Sequence, residues 1–282
     1  MADLYFGLAA MALLAIGLFY AGLRIREKGP RFVADVIAGL TVVGTILYVV
    51  YLWDNVLLSK FLPFSNLVIV GNWFPLAAGF LSGLVWHRVP GKIYRKGLLV
   101  LSLVGVAAYS LIEPLLGSPP HCGNKWNGDV CLQTTLITCT PACAVTILNA
   151  YGISATEREM AELCLTRNGT TWPGLYRGLR IKTHGTPWKV DPFECDPDTL
   201  RAMIDGPVIL SVQLKKNAKV HSIYTERAGF TPGAPHTVVY YGLYNADPDR
   251  LIICDPSHGR ECWYSEDLGV LWHGRGMRLV ER

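Results

Sequence analysis

The stretch Gln133-Thr-Thr-Leu-Ile-Thr-Cys139-Thr-Pro-Ala-Cys-Ala-Val-Thr-Ile-Leu-Asn-Ala-Tyr151-Gly152 decides how this chain is read. Thr138 is a residue type that caps helices, and Pro141 is tolerated in a first turn. The apolar run then continues to Gly152, a residue suited to the position just past a helix end. The pattern predicts a helix whose N-terminus carries Cys139. Unpaired N–H groups and the positive end of the helix dipole favour thiolate over thiol there. A thiolate so placed is a nucleophile.

Two later stretches supply what such a nucleophile needs. Gly233-Ala-Pro-His236-Thr-Val-Val-Tyr-Tyr-Gly242 reads as a strand entered through a turn, with His236 at its start. Leu251-Ile-Ile-Cys-Asp255-Pro256 reads as a short strand ending in a carboxylate, with Asp255 nineteen residues after His236. If the two strands are antiparallel neighbours, Asp255 lies beside His236. A Cys–His pair with an orienting carboxylate is a common way to activate a thiol. His221 is the rival on chain order; His236 is preferred because it begins a strand and precedes Asp255 at a workable interval. Taken singly, each residue has an ordinary explanation. Cys139 suits a disulfide, His236 a protein core, and Asp255-Pro256 a turn. Cys143, one turn beyond Cys139 on the same helix face, is expected to be a buried small apolar residue.

At these residues the sequence resembles the papain-like peptidases that cleave double-glycine leader peptides of bacteriocins. The resemblance is carried by Gln133, Cys139, Pro141, Ala142, Tyr151-Gly152, His236, Val238-Val239 and Asp255-Pro256. Ala155-Thr156-Glu157-Arg-Glu159-Met160-Ala161 and Gly169-Thr170-Thr171 extend it, so it spans roughly residues 130–270. It implies that Cys139 attacks the scissile carbonyl, His236 relays the proton, and Asp255 orients His236. It also implies that the Gln133 side chain and the Cys139 backbone N–H form the oxyanion hole. Thr140 stands where the family usually has Gly, a side chain that would narrow the cleft or alter substrate approach.

The resemblance stops short of residues 1–116, which are a different material. They carry nine Lys/Arg and five Asp/Glu, whereas residues 117–282 carry seventeen of each. The whole chain is 51% hydrophobic and 17% charged, which excludes disorder. Its C-terminal part shows no dominant cationic patch, which excludes a basic nucleic-acid binder. Four apolar segments near bilayer length read as transmembrane helices, from about Leu4 to Leu23, Phe32 to Trp53, Leu67 to Trp86 and Gly97 to Leu116. The start Met1-Ala2-Asp3-Leu4 lacks the basic region of a signal peptide, so the first segment is retained as a helix. Asp35 and Glu113 are expected near headgroups, and Asn72 is expected to bond a neighbouring helix.

Loop charges set the expected orientation. Arg24, Arg26, Lys28 and Arg31 lie between the first two segments, and Arg88, Lys92, Arg95 and Lys96 between the last two. The positive-inside rule makes both loops cytoplasmic, leaving residues 117–282 extracytoplasmic or periplasmic at a cell (inner) membrane. This contradicts the cytosolic placement that the resemblance to transporter peptidases implies. An outside placement permits disulfides, and all eight cysteines lie after Leu116. Cys122–Cys131, Cys254–Cys262 and Cys164–Cys195 are one expected arrangement. No Cys-x-x-Cys occurs, so no structural zinc, and no cofactor, is expected.

Supporting elements complete the expectation. Thr156-x-x-Glu159 is a capping box opening a helix to about Leu165. Thr171 to Lys182 reads as a second helix, and Asp198 caps a third, Thr199 to Asp205. Pro207 to Leu214, His236 to Leu243, Leu251 to Cys254 and Met277 to Val280 read as strands. The expected fold is therefore an α+β papain-like cysteine peptidase domain, residues 117–282, with helices packed on an antiparallel sheet. A four-helix transmembrane domain, residues 1–116, precedes it. The expected function is cleavage of a peptide or protein substrate at the outer face of the lipid bilayer, through a thioester acyl-enzyme. Only sixteen residues separate Leu116 from Gln133, which favours a membrane-bound substrate. The alternatives are transglutaminase-like acyl transfer by the same triad, and a peptide-binding module that does not cut.

Overall fold

The computed structural model describes residues 1–86, 88–90, 92–202, 206–226, 230–245 and 247–282. The chain divides into two compact units, Met1–Leu116 and Gly117–Arg282.

The first unit contains four helices long and apolar enough to cross a membrane. They are built from α1 (Ala2–Lys28), α2 (Arg31–Tyr51), the pair α3 (Leu67–Val70) and α4 (Phe74–Trp86), and α5 (Ile93–Ile112). The third expected segment is interrupted at Gly71-Asn72-Trp73. Side chains from other helices satisfy the groups that the break frees, as an apolar setting demands. The Tyr48 hydroxyl donates to Gly71 O at 2.6 Å and accepts from Trp73 N at 3.3 Å. Asn72 accepts from Phe74 N at 3.3 Å and donates to Ser110 O on α5 at 3.0 Å, the interhelical bond expected of it. Asp35 pairs with Arg88. Gly79 and Gly83 of α4 press against the Ala15 and Phe19 carbonyls of α1, with no room for a Cβ. Small residues at that spacing let two helix backbones approach closely.

The second unit is α+β with antiparallel sheets. Its elements in order are β1 (Lys125–Asn127), β2 (Val130–Leu132), α6 (Cys139–Ala150), α7 (Glu157–Leu163), α8 (Trp172–Lys182), β3 (Trp188–Glu194), α9 (Pro197–Ala202) and β4 (Val208–Gln213). There follow α10 (Ile223–Glu226), β5 (Pro235–Tyr244), β6 (Asp247–Asp255), β7 (Gly259–Tyr264), α11 (Leu268–Leu271) and β8 (Trp272–Glu281). β1 and β2 form a hairpin, and the other six strands form one antiparallel sheet in the order β3-β8-β4-β5-β6-β7. Helix α6 packs on β4 and β5. Every residue from Thr140 to Leu148 is buried, so it is a central helix rather than a surface one. Alternate strand residues such as Val208, Leu210, Val238 and Tyr240 join Tyr224 and Trp263 in a separate apolar core.

Several expected details differ. The Thr138 hydroxyl makes no cap for α6; it donates instead to Thr135 O at 3.1 Å. Asp196, not Asp198, caps α9, its Oδ1 accepting from Asp198 N and Thr199 N at 2.9 Å each. That helix is observed over Pro197–Ala202, and residues 203–205 of the expected range lie outside the described residues. Thr156 caps α7 by accepting from Glu159 N at 3.2 Å, but the Glu159 carboxylate bonds Lys182 at 2.8 Å. Strands β3 and β7 were not expected. Pro192 and three charged residues interrupt the alternation in β3, and neighbouring strands, more than local pattern, hold both.

The cysteines require a larger correction, because all eight are free thiols. Cys254 opposes Arg260 and Cys262 opposes Ile252, so these two are offset by two residues across the β6–β7 ladder. Diagonal neighbours lie too far apart for the short Cβ separation of a disulfide. Cys131 opposes Trp126, well along the hairpin from Cys122. Cys164 is buried against Gly178 of α8, while Cys195 bonds the Gly274 carbonyl beside β8. Alkylating the denatured chain without reductant should therefore add eight labels by intact-mass spectrometry. A total of six or fewer would show bridges and contradict this arrangement.

Candidate active site

Cys139 is the first residue of α6, partly exposed, and the helical bonding begins with Ala142 N donating to Thr138 O at 3.0 Å. The N–H of Cys139 is thus one of the helix-start donors with no acceptor inside the helix. His236 lies near the start of β5, and Asp255 ends β6. In the β5–β6 ladder Val239 opposes Cys254. One further step puts Asp255 opposite Val238, two residues from His236 and on the same sheet face. His236 Nε2 lies 3.0 Å from both Asp255 carboxylate oxygens. That bond uses Nε2, and the imidazole also interacts with the sulfur of Cys139, each shifting the titration of the other. Asp255 is fully buried, and its Oδ1 also accepts from Ser257 N at 2.7 Å. The expected proximity of His236 and Asp255 is therefore observed.

Gln133 lies in the loop after β2 and is tied to the same turn. Its backbone N–H donates to Pro256 O at 2.7 Å, and its Oε1 accepts from Ser257 Oγ at 3.3 Å. Nε2 donates one proton to Thr135 O at 3.0 Å, and the other remains for a ligand. On its other side the loop is anchored by Glu157. This carboxylate is fully buried and accepts from Thr134 N at 2.8 Å and Thr134 Oγ1 at 2.7 Å.

Electrostatics separate the two titrating groups. Burial opposes charge on the Cys139 sulfur, but hydrogen bonding and attraction from His236, with the Thr140 and Thr237 hydroxyls, outweigh it; the thiol titrates below its usual value. Burial alone would depress His236, yet the bonds to Asp255 and Cys139 push it up to about 10. The two shifts run in the directions that favour a thiolate–imidazolium pair, whose two proton losses belong to the pair. Burial pushes the Cys131 and Cys164 thiols the opposite way, to about 12 each.

Other residues behave as their environments dictate. His221 stacks on Tyr264 at 3.9 Å and bonds Glu266 at 3.2 Å, so the rival histidine is engaged elsewhere. The Cys143 thiol is buried and donates to Thr237 O at 3.2 Å. Thr140 is turned inward, 8% exposed, with its hydroxyl 2.8 Å from that of Thr237. Thr237, Ser257, Glu157 and Phe230, whose ring meets the His236 ring edge-on at 5.4 Å, were missed in the sequence. Thr237 and Ser257 directly follow His236 and Asp255-Pro256, so adjacency was their one signal. Glu157 lies in a stretch that carries the resemblance but without a stated role, and Phe230 carried no signal.

No protein-family model matches the chain, and no curated protein matches it. Similar solved structures include the peptidase domain of Streptococcus ComA, a bi-functional ABC transporter involved in a quorum-sensing pathway. It is 24% identical, with 54% of this chain and 96% of that one covered, at a TM-score of 0.41. A double glycine motif protease from an AMS/PCAT transporter, solved with its leader peptide, is 14% identical, with 59% and 96% covered, at a TM-score of 0.41. The N-terminal peptidase C39 like domain of the toxin secretion ATP-binding protein from Vibrio parahaemolyticus is 10% identical, with 53% and 100% covered, at a TM-score of 0.36.

The ion pair makes a direct prediction. Alkylation of Cys139 by iodoacetamide, followed by peptide mass spectrometry against pH, should show a midpoint below the 9.0 of an ordinary thiol. In His236→Ala the midpoint should rise, because burial then acts with less opposition. Identical profiles in the two proteins would contradict the pairing.

Proposed function

We propose that residues 117–282 are a cysteine peptidase that hydrolyses a peptide bond through a thioester intermediate. The observation that carries this reading is the His236 imidazole held between the buried Asp255 carboxylate and the Cys139 sulfur at the head of α6. In the proposed reaction the Cys139 thiolate adds to the scissile carbonyl carbon. The carbonyl oxygen gains the negative charge and is met by the Cys139 N–H and the free N–H of Gln133. Both donors are fixed in advance, Gln133 by Pro256 and Ser257. Collapse breaks the C–N bond, and the leaving amine takes the proton from His236. Water then gives a proton to His236 as it attacks the thioester, releasing the acid and regenerating the thiolate–imidazolium pair.

Orientation is proposed on the charged loops of the first unit: the two basic loops face the cytoplasm and residues 117–282 the outside. The substrate is proposed to be a peptide or protein close to the bilayer, given the short segment before Gln133. The free cysteines remove disulfide formation as a support for this placement.

The test uses the full chain in nanodiscs, a peptide library and mass-spectrometric detection of cleavage. Cys139→Ala should abolish cleavage, and Gln133→Ala should lower kcat by about 10² to 10³-fold. Asp255→Ala should lower it strongly, with the His236 ring released. Cleavage that survives in Cys139→Ala would overturn the reading. Peptide binding without cleavage by the unmodified chain would overturn it in favour of a binding module.

A further inference from the structure

Beside the nucleophile lies a pair of hydroxyls that neither the triad nor the oxyanion hole uses. Thr140 follows Cys139 on α6, and Thr237 follows His236 on β5; each is 8% exposed. Their Oγ1 atoms are 2.8 Å apart, and Thr140 Oγ1 is 3.9 Å from Cys139 Sγ. Proton accounting limits what such a pair does. Two hydroxyls bring two protons, and the bond between them uses one. The other needs an acceptor in a place shielded from water. Thr237 O already accepts from the Cys143 thiol at 3.2 Å. The sulfur of Cys139 is within reach and, when ionised, is a strong acceptor for a hydroxyl proton.

We infer that the Thr140–Thr237 hydroxyl pair donates a hydrogen bond to the ionised sulfur of Cys139. Thr237 donates to Thr140, and Thr140 donates to Sγ. The pair thereby shares with His236 the holding of the thiolate, and it fixes the sulfur between helix and strand before substrate arrives. Sequence and geometry agree on this role: the side chain that replaces a family glycine is folded inward, where it meets the strand carrying His236. The titration of Cys139 is lowered in part by these two hydroxyls, as a pair placed beside the sulfur requires. The inference deepens the proposed peptidase and rests on Cys139 as its nucleophile, but it is read without substrate.

The experiment is the pH dependence of Cys139 alkylation in the full chain, followed at the Cys139 peptide by mass spectrometry. Thr140→Val keeps the shape and removes the hydroxyl, and should raise the midpoint by about one pH unit, the scale of a hydrogen bond to a charged group. Thr140→Ser keeps the hydroxyl and should stay at the unmodified midpoint. Thr237→Val leaves the Thr140 proton for Sγ but removes the bond that holds that hydroxyl in place; it should shift the midpoint in the same direction by less, so a folding failure of either variant leaves the other decisive. An unchanged midpoint in the folded valine variants, or an equal rise in Thr140→Ser, would overturn the inference. The readout is separate from peptidase activity. Shifted midpoints in a chain that cleaves nothing would sink the proposed function and keep the hydroxyl pair. Cleavage with unshifted midpoints would do the reverse.

Discussion

A fully buried carboxylate is costly unless it is paired and hydrogen-bonded, and Asp255 is both. Its oxygens lie on His236 Nε2, and the Ser257 N–H supplies a further bond. This constraint fixes much else. With a second anionic partner on the ring, it raises His236 above the usual imidazole range. Cys139 is that partner, and its place at the start of α6 adds the donor end of a helix to the imidazolium. The Asp255-Pro256-Ser257 turn then reaches back to Gln133 through two bonds, so the turn that carries the carboxylate also positions the Gln133 side chain.

The joint between α6 and β5 is where this chemistry is assembled, and both elements were visible in the sequence. α6 was legible because its apolar run, Pro141 and Gly152 mark a helix and its ends. Gly152 takes the positive φ of +71° that such a position requires. His236 and Asp255 were legible because each sits at the end of an apolar run, and antiparallel pairing of adjacent runs is a short-range matter. The contacts around them were not legible. Thr140 meets Thr237 across ninety-seven residues, and Ser257 meets Gln133 across one hundred and twenty-four. No local periodicity encodes such contacts.

The errors share one cause. Pairing cysteines by nearness in sequence ignores strand register, and register is what separates Cys254 from Cys262. Placing the cap at Asp198 ignored Asp196, two residues earlier, whose carboxylate actually receives the helix N–H groups. Thr138 looked like a cap and instead closes the tight turn before the nucleophile. In the first unit, composition marked four long apolar helices but not the break at Gly71-Asn72-Trp73. That break depends on Tyr48 of α2, which takes up the freed Gly71 O and Trp73 N, and on Ser110 of α5, which holds the Asn72 side chain.

The central claim is that His236 and Cys139 share a charge-separated resting state anchored by Asp255. Nitrogen-15 NMR of the histidine-labelled chain measures this most directly, with the His236 signal assigned by its loss in His236→Gln. The account predicts a doubly protonated ring that persists through neutral pH and loses its proton near 10. A ring that titrates near the ordinary 6.5 would contradict it.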